Sequence, residues 1–138
     1  MANYTATTRS NYFRVKDAKA FTAWCHHRAI EFWIEMRPES PADDFYAISA
    51  DTGDCCGWPT YDPAADDEFD FAGELAEHLD PRDVAILFEV GAEKLRYLIG
   101  VAKAVHPDGR TISVSLYDIY DRAREAFGPH FRITEGSY

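Results

Sequence analysis

The sequence predicts an α+β fold: a mainly antiparallel sheet of five to six strands with about three helices, in the order β-α-β-β-(β)-α-β-β-β-α. Three observations carry that expectation. Short β-rich runs follow one another at hairpin spacing, three stretches have the three-and-four spacing of amphipathic helices, and no repeated βα crossover occurs. At 138 residues, 46% hydrophobic and 14% aromatic, the chain is too apolar for disorder and has the size of one domain, expected to span 1–138.

After a polar start, Ser10 to Val15 mixes aromatic and β-branched residues and reads as the first strand. Asp17 is placed to cap a helix that buries Ala18, Phe21, Trp24 and Cys25 and ends near His27. From Ala29 to Met36 the pattern alternates, with Ile30, Phe32, Ile34 and Met36 on one side, as in a half-buried strand. Pro38 and Pro41 break it, Phe45 to Ala50 forms the next strand, and Asp51-Thr52-Gly53-Asp54 has turn composition. Cys56 to Tyr61, interrupted by Pro59, reads as no more than an edge strand.

A second helix runs from about Glu68 or Phe69 to Leu79, with Phe71, Ala72, Leu75, Ala76 and Leu79 inward. The apolar run Val84 to Val90 predicts a central strand covered on both faces. Leu95 to Val105 returns beside it, and the turn His106 to Arg110 leads into Thr111 to Leu116, with Ile112, Val114 and Leu116 inward. The closing helix, from about Tyr117 to Phe127, is expected to bury Ile119 or Tyr120 with Ala123 and Phe127, and Gly128-Pro129 stops it.

The net charge of −10 is unevenly placed. Residues 39–93 hold 16 acidic residues and one basic residue, Arg82, whereas 1–38 carries a net +3 and 94–138 a net +2. Such asymmetry bears on partners more than on fold. The candidate partner-binding carboxylates are Asp43, Asp44, Asp51, Asp54, Asp62, Asp66, Asp67, Glu68, Asp70, Glu74, Glu77 and Asp80. On the second helix Asp67, Asp70, Glu74 and Glu77 fall at i, i+3, i+7 and i+10 and are expected to stack along one exposed side. The helix macrodipole accounts for acids at the helix start, but not for Glu74 and Glu77 further along. Three readings compete. A row of carboxylates imitates a phosphate track and enters a Lys/Arg groove; or it is a solvated acidic face; or DPAADDEFD is a hard-cation loop, although it lacks the glycine and the spacing of an EF-hand.

Other chemistry finds little support. Cys25, His26, His27, Cys55, Cys56 and His78 form the pool for zinc, but adjacent ligands diverge and the paired spacing of structural zinc sites is absent. No nucleophile elbow and no phosphate-cradling glycine loop occurs, so neither an enzyme nor a cofactor is expected. Three cysteines, two of them neighbours, fit a reducing cytoplasm. No apolar run approaches the roughly 18 residues of a membrane span. Direct nucleic-acid binding is not expected either, because the basic residues are dispersed.

Two stretches, Ser10 to Asp17 (SNYFRVKD) and Phe88 to Tyr97 (FEVGAEKLRY), resemble a family of small acidic proteins carried by plasmids, conjugative elements and phages, among which anti-CRISPR inhibitors are found. The resemblance implies a mobile-element protein that blocks a host nucleic-acid-targeting defence complex, and a cytoplasmic monomer is expected. Type I CRISPR surveillance complexes are the first choice of partner, because Lys and Arg line their DNA-entry sites. The alternative is an acidic protein-binding module without mimicry, in which exposed Trp33, Trp58 or Tyr61 would dominate.

Overall fold

The computed structural model describes residues 4–40, 43–50, 57–93, 97–134 and 136. Its first strand, β1 (Tyr4–Ser10), lies earlier than the expected Ser10–Val15, within the polar start. Threonines supply the β-branched character there, and tertiary hydrogen bonds make their polarity tolerable. The hydroxyls of Thr8 and Ser10 are buried, and each accepts a backbone amide at 2.8 Å, from Ala50 and Ile48. The expected strand survives as an extended connector that makes single bridges, Phe13 with Tyr46 and Val15 with Leu79.

Helix α1 (Ala18–His27) starts as expected on Asp17, whose carboxylate accepts the amides of Lys19 and Ala20, and it buries Phe21, Trp24 and Cys25 but leaves Ala18, expected inward, exposed in the first turn. Strands β2 (Ile30–Glu35) and β3 (Phe45–Ala50) form an antiparallel pair. The apolar side of β2 is covered only at one end: Ile30 is buried, while Ile34 and Met36 are exposed. A two-residue ladder, β4 (Tyr61–Asp62) with β5 (Asp67–Glu68), makes a small hairpin and replaces the expected edge strand from Cys56. Helix α2 (Phe71–His78) follows, and its whole predicted stripe, from Phe71 to Leu79, is buried. Strands β6 (Ala85–Glu93), β7 (Tyr97–Val105) and β8 (Thr111–Ser115) and helix α3 (Asp118–Phe127) complete the chain.

The α+β class and the order of elements hold, but the strands divide among sheets. A four-stranded antiparallel sheet has the order β1-β6-β7-β8, and β2-β3 and β4-β5 are separate two-stranded sheets. One aromatic-rich core joins α1, α2, β3 and one face of the large sheet. Phe21 meets Tyr46 at 5.1 Å between ring centroids, and Trp24 stacks on Phe71 at 5.3 Å. Leu75, Leu79 and Val105 are fully buried beside them.

The other face of the large sheet corrects three expectations. Register sets Ile86, Ala104 and Ile112 abreast, then Phe88, Ala102 and Val114. Phe88 and Val90 are 43% and 59% exposed, so β6 is covered on one face and not on two. Ile112, Val114 and Leu116, expected inward, are 76%, 57% and 54% exposed. In α3 no residue is buried: Ile119 and Phe127 are 62% and 67% exposed. The alternation was real in each case, but it identifies an apolar side and not what that side packs against.

Candidate functional site

The acidic segment does not present the expected row. Asp67 lies in β5, before the helix, and Asp70 is the N-cap of α2, its carboxylate accepting the Gly73 amide at 3.1 Å. Glu74 turns toward α1. Its two oxygens accept from Nε and Nη2 of Arg28 at 2.9 and 2.8 Å, and Oε1 also accepts the Trp24 indole N–H at 2.9 Å. Of the four, only Glu77 stands exposed on the helix. Helix α2 begins later than expected because Asp70 caps it, which removes the first turn on which the row depended.

Arg28 is the pivot of this region. Besides Glu74, it donates to Asp62 at 2.9 Å, and its guanidinium lies 3.7 Å from the centroid of Phe69. It thereby ties the β4–β5 hairpin to α1 and α2. The guanidinium holds Glu74 below the usual carboxylate range, while the Ala65 amide, followed by Arg28, does so for Asp62. Within the hairpin, Asp62 also accepts the Ala64 amide, and Tyr61 donates its hydroxyl to Asp66, which sits at φ 52°, a left-handed conformation that aspartate tolerates.

A second ionic cluster stands at the start of the large sheet. Arg14 grips Asp83 with two bonds of 2.8 and 2.6 Å and approaches Asp43 at 3.5 Å. Arg82 pairs with Asp80 at 2.9 Å and Asp43 at 3.2 Å. Hydrogen bonds from Arg82 hold the Asp80 carboxyl down at about 2, and Ser40 with Arg82 lowers that of Asp43. Asp44 accepts the Arg37 amide at 2.6 Å.

The twelve candidates therefore sort into groups. Asp51 and Asp54 lie outside the described residues. Asp43, Asp62, Glu74 and Asp80 are held by arginines, and Asp44 by a backbone amide. Asp66, Asp67, Glu68, Asp70 and Glu77 are exposed and form no ion pair among the described residues. They lie on the hairpin, at the cap and on the outer side of α2. A local charge count does not reveal this division, because Arg28, which holds Asp62 and Glu74, comes from outside the acidic segment, and Arg82 within it holds two acids at once.

Other chemistry is limited by environment. Burial pushes the Cys25 thiol up to about 12, which keeps it a thiol near neutral pH. Cys55 and Cys56 lie outside the described residues, and no group of three or more His, Cys, Asp or Glu is placed to hold a metal among those described. A cleft of about 250 Å³ opens between Trp58, α2 and the covered sheet face, reaching Lys103. Trp58 enters its lining directly after Gly57, which sits at φ 96° and where a Cβ would strike the Glu89 carboxylate that accepts the Trp58 amide.

The bare sheet face around Ala102 is not among the sequence-predicted features; its signal is the same-parity run Phe88, Val90, Ile112 and Val114, 43–76% exposed, which patterning alone places in the interior. No protein-family model, curated protein or solved structure matches the chain.

Proposed function

We propose that this chain is a non-enzymatic inhibitor of a nucleic-acid-targeting host defence complex, acting in the bacterial cytoplasm through carboxylates that stand in for DNA phosphates. The observation that supports it is the division of the acids. Asp43, Asp62, Glu74 and Asp80 are neutralised by arginines, while Asp66, Asp67, Glu68, Asp70 and Glu77 are exposed without a cation among the described residues. The Arg28 cluster and the buried stripe of α2 give those five a fixed support, so presenting them costs little further ordering. The contact surface is thus narrower than the acidic segment: the β4–β5 hairpin and the outer side of α2. The partner proposed first is a type I CRISPR surveillance complex, and another DNA-binding defence protein with a basic groove is the alternative partner.

Binding of the purified chain to type I complexes, measured from low to high salt and against competing target DNA, tests the reading. Affinity is expected to fall steeply with salt, and DNA to compete. Salt-insensitive binding, or DNA that fails to compete, removes mimicry. It then favours an acidic protein-binding module, for which exposed Tyr61 beside Asp66 and exposed Trp33 supply the apolar anchors.

A further inference from the structure

The sheet face turned away from the core is apolar across three strands. Its β6, β7 and β8 positions carry no charged residue among those described; the charged residue of that face is Arg9 on the β1 edge, whose guanidinium lies over Tyr12 and Trp33 at 5.7 Å. The relief is regular. Gly100, Ala102 and Ala104 make a shallow lane along β7, flanked by ridges of Phe88 and Val90 on β6 and of Ile112 and Val114 on β8. Leu98 and Leu116 close one end, next to Ile119 of α3.

We propose that this face is a homodimer interface, with two copies packed sheet on sheet about a twofold axis, in place of the monomer expected from sequence. The area fits. With Ile119 and the residues that flank the lane, the exposed apolar surface is on the order of 750 Å², above the roughly 300–600 Å² of a typical monomer's largest patch. One partner of a standard-size interface contributes about 800 Å². Relief and charge also favour a second copy. A lane between two ridges is self-complementary under a twofold, as an isologous interface requires. The acidic hairpin and α2 lie on the opposite side, where the cleft sets Asp70 and Phe71 against Leu87 and Lys103, so face-to-face packing holds the two negative surfaces apart. A basic partner would find its complement there, and not on the uncharged face.

The proposal is independent of the acidic-hairpin reading, and salt separates the two. Added salt screens the repulsion between two acidic copies and is expected to leave the dimer as tight or tighter, whereas it weakens binding by the hairpin. Sedimentation of the full chain from about 1 µM to about 100 µM, at low and high salt, is the measurement. The wild type is expected to approach a dimer. Ile112→Lys with Val114→Lys should be monomeric with an unchanged circular dichroism spectrum. Ile112→Thr with Val114→Thr keeps β-branched side chains for folding and should weaken association by about tenfold or more. Asp67→Lys with Glu77→Lys should leave it intact. A wild type that stays monomeric throughout, or a dimer that survives the folded lysine or threonine pair, overturns the proposal.

Discussion

Both faces of the four-stranded sheet carry apolar side chains, and those side chains meet opposite fates, although the covered face also holds Thr8, Ser10, Glu89 and Lys103 and the bare one is apolar throughout on β6, β7 and β8. On one, Ala85, Leu87 and Val105 are at most 4% exposed beneath α2 and the aromatic core; on the other, Phe88, Val90 and Val114 are 43–59% exposed. Hydrophobicity does not explain the difference, since the bare face is the more apolar of the two. What does is the supply of covering elements: α2 and β3 pack on the first face with α1 in the same core, while α3, which follows the sheet, contributes no buried residue. Apolar patterning shows that a surface favours burial, and the rest of the chain decides whether anything buries it.

Truncating a side chain on each face in turn should give the largest difference in stability. Leu75→Ala, beneath the covered face, should cost about 3–5 kcal/mol in urea denaturation because it leaves a cavity in a closed core. Val114→Thr on the bare face, measured at a concentration where the chain is monomeric, should shift stability by no more than about 0.5 kcal/mol. Equal losses would mean that the bare face is packed in solution by something this fold does not show.

Next in size is the Arg28 cluster. Glu74→Ala leaves a largely covered guanidinium with Asp62 alone and the Trp24 indole without its acceptor, and should cost about 1–3 kcal/mol. Acid should act in the same direction. Glu74, Asp62, Asp83 and Asp80 all have folded pKa values below their unfolded ones, so the unfolded chain binds protons more readily. Their contribution is complete above about pH 5 and is lost as pH falls toward the Asp80 value of about 2. His78, packed on Trp24 at 5.3 Å and pushed down by burial, starts the loss earlier, below its ordinary value of 6.5. A melting-temperature scan from pH 7 to pH 3, with Glu74→Gln as reference, checks both sign and window: the variant's curve should be flatter.

The smallest stability effect is expected at the unpaired carboxylates. Asp67→Asn with Glu77→Gln should move stability by no more than about 0.5 kcal/mol, because both are exposed and Asp67 accepts just the neighbouring Glu68 amide at 2.9 Å, a bond that asparagine keeps. The same pair should weaken binding to a type I complex most at low salt. A stability loss as large as that of Glu74→Ala would put these two among the structural acids.

Local signals were legible residue by residue. The Asp17 cap, the α1 face Phe21, Trp24 and Cys25, and the α2 stripe from Phe71 to Leu79 all follow from capping chemistry and a 3.6-residue period, which depend on near neighbours in the chain. The site was legible only as an acidic segment. Which of its carboxylates are free depends on Arg28 reaching Glu74, 46 residues away, and Arg14 reaching Asp83, 69 away, and no periodicity encodes such distances.

By itself, then, the amino-acid sequence determined the α+β class, the order of elements and the apolar side of most of them, because backbone sterics and side-chain periodicity act over a few residues. Only the tertiary structure decided the rest. It drew strand β1 from a polar start by giving Thr8 and Ser10 amide partners on β3, and moved Glu74 from an exposed row into an ion pair. It also left one sheet face without a cover. Each of these outcomes depends on which distant groups meet, and that is settled when the core closes.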